Sequence, residues 1–130
     1  MEKTKSFEEL IVWQKSYSFT IAVYQHTKNF PKEERYGITS QLRSAATSVP
    51  ANITEGYKRL GKADKLRFFN YAEASLDECK FFIRLSFDLE YLDIAAKTDL
   101  DSRSEEIGRL LTAYCKSIRN ASNNDPPVTH

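Results

Sequence analysis

Residues 30–59 read FPKEERYGITSQLRSAATSVPANITEGYKR, a helical pattern that continues straight through a proline. Ile38, Leu42, Ala45, Ala46 and Val49 recur at helical spacing, and the same face runs past Pro50 into Ile53, Gly56, Tyr57 and Leu60. An interior proline costs a helix roughly 3 kcal/mol and removes one backbone donor, so packing or function must hold it in place. A polar stripe of Gln41, Ser48, Asn52, Glu55 and Arg59 runs beside the apolar one. Two roles suit it. It hydrogen-bonds across helices and catches the carbonyl near residue 46 that Pro50 orphans, or it lines a pocket with Asn52 and Glu55 as polar contacts. The small neighbours Ala45, Ala46, Ala51 and Gly56, which admit a second helix at close range, favour the structural role.

Working outward, this segment is the second of four predicted helices. It spans about residues 39–60, with Gly61 placed to end it. The first helix begins at Ser6, where Glu9 completes a capping box, and ends before Phe30-Pro31. Its main apolar stripe is Leu10, Trp13, Tyr17, Ile21 and Tyr24. A third helix opens near Ala63 or Asp64 and turns Leu66, Phe69, Leu76, Cys79, Ile83 and Phe87 inward. The fourth shows Leu100, Ile107, Leu111, Tyr114 and Ile118 on one face; Ser102 and Glu105 offer a capping box, but the stripe places the start near 95–97. Short connections then predict an all-α, up-down-up-down four-helix bundle over residues 1–120, with a disordered tail at 121–130.

Composition agrees with one such domain. At 130 residues, with 41% hydrophobic and 28% charged side chains, the chain can bury a core without staples. Cys79 and Cys115 make no disulfide framework, and no apolar run suits a signal peptide or a membrane span, so the expected setting is the cytoplasm. The net charge of +1 hides an asymmetry. Residues 38–70 carry six basic and two acidic side chains, whereas residues 71–101 carry three and eight. Such a split points to charge-guided contacts with a partner or between copies.

Two helices have more apolar surface than a bundle centre can use. Val12, Phe19, Val23 and Phe30 lie opposite the main stripe of the first helix, and Ala74, Phe81, Leu85 and Leu92 lie outside that of the third. Either loops and long neighbouring side chains half-cover Phe19 and Phe81, or, as the favoured reading, such exposed seams mark an interface and Val12, Phe19, Val23, Phe81 and Leu85 are expected to join copies of the chain. Unlike seams meeting from copy to copy make a heterologous contact, which closes into a ring.

Candidate chemistry is sparse. His26 and His130 are the only histidines, and neither belongs to a catalytic constellation legible in sequence. No phosphate loop, dinucleotide fingerprint or Glu-x-x-His pair occurs, and neither a metal nor a cofactor is expected. The cysteines lie on core stripes. Glu73, Asp77, Lys80, Arg84 and Asp88 share one helix face as an ion-paired, solvated surface. Lys58, Arg59, Lys62, Lys65 and Arg67 gather around the turn after the second helix, where they either meet phosphates or serve solvation and subunit contacts. Arg43 adds to them on the outer face of that helix.

Several motifs carry a family resemblance: Phe30-Pro31, Glu34-Arg35-Tyr36-Gly37, Gln41-Leu42-Arg43-Ser44-Ala45, and Ser48-Val49-Pro50-Ala51-Asn52-Ile53-x-Glu55-Gly56. With Phe7-x-x-Leu10-x-Val12-Trp13 and Ala72-x-x-Ser75-Leu76-x-Glu78, they resemble the four-helix-bundle proteins encoded in intervening sequences of bacterial large-subunit ribosomal RNA genes. The resemblance spans about residues 6–118; Thr54 departs from it, standing where a small residue such as alanine is expected. It implies a bacterial, cytoplasmic ring, a homopentamer, with no catalytic residues. It also implies a distant likeness to retroelement accessory proteins that bind a reverse transcriptase and nucleic acid. The leading expectation is a non-enzymatic homo-oligomer that binds RNA or a nucleoprotein through basic patches. The alternatives are a protein-interaction scaffold without nucleic-acid affinity and, more remotely, an enzyme whose His26 meets a carboxylate of a neighbouring chain.

Overall fold

The computed structural model describes residues 6–121. Four helices form: α1 Ile11–His26, α2 Ile38–Lys58, α3 Lys62–Asp88 and α4 Ile94–Asn120, with short 3-10 turns at Phe7–Glu9 and Lys32–Glu34. Each packs against its neighbours in a closed cycle, α1 on α2, α2 on α3, α3 on α4 and α4 on α1, with α2 and α3 in closest contact. Cross-helix pairs run in opposite order along every neighbouring pair. Trp13 meets Thr54 and Thr20 meets Ala46. Ser75 meets Ser48, Lys62 meets Arg119, and Lys15 and His26 meet Glu106 and Asp99. This is the up-down-up-down bundle.

The helix ends differ in detail from their sequence signals. The chain enters α1 through Leu10, and Ser6 makes no side-chain cap; the turn Phe7–Glu9 uses up the residues of the expected capping box. Asp93 caps α4 by accepting from the Ala96 N–H at 2.8 Å, so Ser102 and Glu105 lie within the helix. Gly61 does not end α2. The helix stops at Lys58, Arg59 turns extended, and Gly61 is the residue that opens α3. The expected tail lies, beyond Ala121, outside the described residues.

The predicted inward faces of α2, α3 and α4 hold at Leu42, Val49, Ile53, Phe69, Leu76, Ile83, Leu100, Ile107 and Leu111, all buried. Helix α1 is the exception: of its predicted stripe Leu10 is buried and Trp13 half-buried against the core, but beyond Trp13 the two apolar stripes are exchanged. Val12, Phe19 and Val23 are fully buried in the protomer's own core, whereas Tyr17, Ile21 and Tyr24 are exposed. The expected interface role of Val12, Phe19 and Val23 is therefore corrected. Ser16 and Ala22, both buried, make the Val12–Phe19–Val23 side slim enough for a close-packed centre. Tyr17 and Tyr24 keep their hydroxyls in water while their rings cover surface, which suits an outward face. On α3, Leu85 is half-buried against the core, and Leu92, past the end of that helix, is buried, so of that second seam only Ala74 and Phe81 stay outside, Phe81 at 59% exposure.

Candidate functional site

Ending α2 at Lys58 and starting α3 at Lys62 leaves three residues to reverse the chain, and every candidate cation except Arg43 clusters there. Lys65 is committed to the turn itself. Its ammonium donates to the Tyr57 carbonyl at 2.7 Å and the Gly56 carbonyl at 3.3 Å, satisfying orphan acceptors at the end of α2. Burial of that ammonium pushes its pKa below the usual lysine value. Arg59 pairs with Glu55 at 3.2 Å and lies 4.6 Å from the centre of the Phe68 ring; Arg67 pairs with Asp64 at 3.3 Å and lies 5.1 Å from the same ring. Lys58 reaches Glu55 only at 3.8 Å, and Lys62 touches the Arg119 carbonyl at 3.5 Å. The fold thus brings the last turn of α4 to this end. Lys58 and Arg67 are exposed, whereas Arg59 and Lys62 are half-buried with their charged ends at the surface.

Arg43 belongs elsewhere. It lies fifteen residues before Lys58 on one helix, roughly 22 Å along the axis. Its guanidinium donates to Thr27 Oγ1 at 2.8 Å and covers the Tyr24 ring, fastening the end of α1. At the tip of the turn, Leu60 is 99% exposed. Sequence periodicity assigned Leu60 to the inward face of α2; the helix ends at Lys58, before reaching it.

The proline stripe is structural. Pro50 leaves the Ala46 carbonyl without its helical donor, and the Thr20 hydroxyl of α1 supplies one at 2.9 Å. The polar stripe was the expected donor, yet it points the other way: Asn52 donates to Ser48, and Ser48 meets Ser75 of α3. Glu55 pairs with Arg59, and Gln41 is exposed. Thr54 has a specific task, since its hydroxyl donates to the Pro50 carbonyl and accepts from the Trp13 indole at 3.1 Å. Gly56 admits α3 at close range; a Cβ there would stand 3.1 Å from Phe69 and 3.2 Å from Phe68. Glu34 also acquires a role that composition did not reveal. One carboxylate oxygen accepts from the Ile38 N–H that opens α2, and the other accepts from the Tyr91 hydroxyl.

Elsewhere the groups with chemical potential are restrained. His26 meets Asp99 of its own chain at 2.9 Å, so no neighbouring protomer is needed to place a carboxylate beside it. That hydrogen bond, with further help from Arg103, holds the Asp99 carboxyl below its usual range against an opposing effect of burial. Burial pushes the Cys79 thiol up to about 12 and the Cys115 thiol up to about 11, so neither is a thiolate at neutral pH. Among the described residues no three His, Cys, Asp or Glu converge as metal ligands, and no helix is long and apolar enough to cross a membrane. A cleft of about 610 Å³ separates α3 from α4 above Gly108, rimmed by Glu73, Asp77, Lys80, Arg109 and Lys116.

These features define an all-α bundle with a basic end and no assembled catalytic centre among the described residues. Residues 8–113 match the 23S rRNA-intervening sequence proteins. The chain belongs to that family. It is also similar to the crystal structure of a protein of unknown function from the S23 ribosomal protein family of Bacteroides thetaiotaomicron VPI-5482. That similarity has a TM-score of 0.74 at 25% identity and covers 82% of this chain and 99% of the other. No curated protein matches the chain significantly.

Proposed function

We propose that this protein is a non-enzymatic homo-oligomer that binds RNA, bare or within a nucleoprotein, through the basic end of the bundle. The observation that carries the reading is the convergence of Lys58, Arg59, Lys62 and Arg67 on one three-residue turn, with the end of α4 beside them. Each cation that meets a phosphate releases counterions, so affinity is modest, indifferent to sequence and steeply dependent on salt. Glu55 and Asp64 temper the charge without covering it, since Lys58, Asp64 and Arg67 are all exposed. Arg43 and Lys65 leave the proposed contact set because both are engaged in holding helix ends.

The test is retention of RNA at low salt. Changing Lys58, Arg59 and Lys62 together to glutamate should weaken retention at least about a hundred-fold and flatten its salt dependence. Retention equal to that of the unaltered chain would exclude the basic end as the contact.

The scaffold reading draws on a different observation, the outward apolar side chains Tyr17, Ile21, Tyr24 and Phe81. Recovery of a protein partner that persists after nuclease treatment, from a chain that retains no RNA, would favour it.

A further inference from the structure

Two neighbouring residues at the tip of the basic turn stand open to whatever approaches from outside. Leu60 is 99% exposed, although leucine neither favours turns nor gains anything from water. Gly61 follows it with φ −87° and ψ 147°, a conformation open to any residue, and a Cβ built there would meet nothing within 4 Å. Glycine serves there as the N-cap of α3, a position that serine, threonine, asparagine or aspartate would fill as well, and neither backbone strain nor internal packing requires it. A side chain withheld from open space leaves room for something outside the molecule to come close to the backbone. The two observations coincide at one point, and Lys58, Arg59 and Lys62 stand immediately on either side of it.

We infer that the Leu60–Gly61 tip packs against the face of an unstacked RNA base while the flanking cations hold the adjoining phosphates. The inference rests on the RNA-binding reading above and narrows its substrate to RNA with an interrupted stack: a bulge, loop or splayed strand. A continuous A-form duplex offers such a tip little, because its deep groove is closed to side chains and its bases are stacked. Apolar side chains that wedge between paired bases must also bear the cost of unstacking them. A base already extruded imposes no such cost, and it presents a flat apolar face beside two phosphates. Leu60 supplies the apolar contact, Gly61 allows close approach, and the cations determine salt dependence without choosing between the two kinds of RNA.

The experiment compares two RNA duplexes of equal length and equal ends, one fully paired and one with a single-nucleotide bulge at its centre. The unaltered protein should bind the bulged RNA about ten-fold more tightly. Leu60→Ala should remove that preference while leaving affinity for the paired duplex unchanged, and Gly61→Ala should reduce it in the same direction. Leu60 lies on the surface, so thermal melting of Leu60→Ala followed by circular dichroism should stay at the unaltered midpoint, whereas Gly61→Ala puts a poorer N-cap on α3 and should lower it slightly. Equal affinity for the two RNAs, or a preference that survives Leu60→Ala, overturns the inference. So does binding to phosphatidylserine vesicles that depends on Leu60 when RNA binding does not. The outcomes separate from those of the broader reading: if the triple glutamate variant loses both RNAs but Leu60→Ala keeps the preference, only the tip assignment fails. If the unaltered chain binds neither RNA, both fall.

Discussion

Thr20 shows how a single residue can stabilise a helix to which it does not belong. Its hydroxyl has one proton, placed to serve the Ala46 carbonyl of α2 or the Ser16 carbonyl of its own helix. The Ala46 carbonyl is the one orphaned by Pro50, so the value of Thr20 should depend on that proline. Thr20→Val should cost about 1–3 kcal/mol in urea denaturation, the penalty of leaving a buried acceptor unmade. In a Pro50→Ala background the helical N–H returns, and the same substitution should cost less than half as much. Equal costs in the two backgrounds would show that the proline and the threonine are independent. Pro50 was legible as an anomaly in the sequence, but its remedy was not, because the donor lies 26 residues away on another helix. Thr54 has the same lesson at a separation of 41 residues, where an apparent departure from the family pattern receives the Trp13 indole proton.

At the scale of elements, the α2–α3 hairpin is held by closeness and the α1–α4 pair by polar contacts. A methyl group on Gly56 would press on Phe69 at 3.1 Å and Phe68 at 3.2 Å, both packed on the facing helix, so one of them must give by a few tenths of an ångström. Gly56→Ala should therefore destabilise by about 1–3 kcal/mol, despite alanine's better helix propensity, as helices move apart or rings leave their rotamers. A gain in thermal midpoint would contradict this packing. Between α1 and α4, His26 and Arg103 both favour the ionised Asp99 carboxylate, so its folded pKa lies below the unfolded value. The resulting stability is present above the ordinary carboxylate pKa and is lost as pH falls through the lowered one. The pair is partly exposed, at 32% and 38%, so screening limits the effect to about 0.5 kcal/mol. An NMR titration should show the Asp99 carboxyl moving up towards the normal aspartate range in a His26→Ala variant. No movement would remove His26 as the leading cause. The face of α4 was readable because it has one apolar stripe, and that of α3 because its predicted stripe is longer than the second seam of Ala74, Phe81 and Leu85. Helix α1 has two of similar strength, and periodicity cannot rank them.

Across the whole molecule, the bundle is polar in charge and incomplete in its covering. The α2–α3 turn is basic, while Asp88, Glu90 and Asp93 cluster at the α3–α4 connection, at the opposite end of α3. Copies arranged side by side in a ring would present all basic turns on one face. Tyr17, Ile21 and Tyr24 on α1 and Phe81 on α3 are among the outward apolar groups on the sides of the bundle that could join such copies. Tyr17→Glu or Phe81→Glu should yield folded monomers in light scattering. Phe19→Glu should instead unfold the protomer, because it forces a charge into the fully buried centre. An unaltered chain that scatters as a monomer would refute the assembly.

The sequence by itself determined the four helices, the inward faces of three of them, the proline-bearing α2 and the family. These follow from periodicity and motifs confined to short stretches, where neighbours along the chain are also neighbours in space. Only the tertiary structure decided which stripe of α1 faces inward and which helix answers the Ala46 carbonyl. It also decided that Arg43 and Lys65 hold helix ends, and that Leu60 is left in solvent. Each of those outcomes depends on what another helix offers at the point of contact, a property that no local pattern contains.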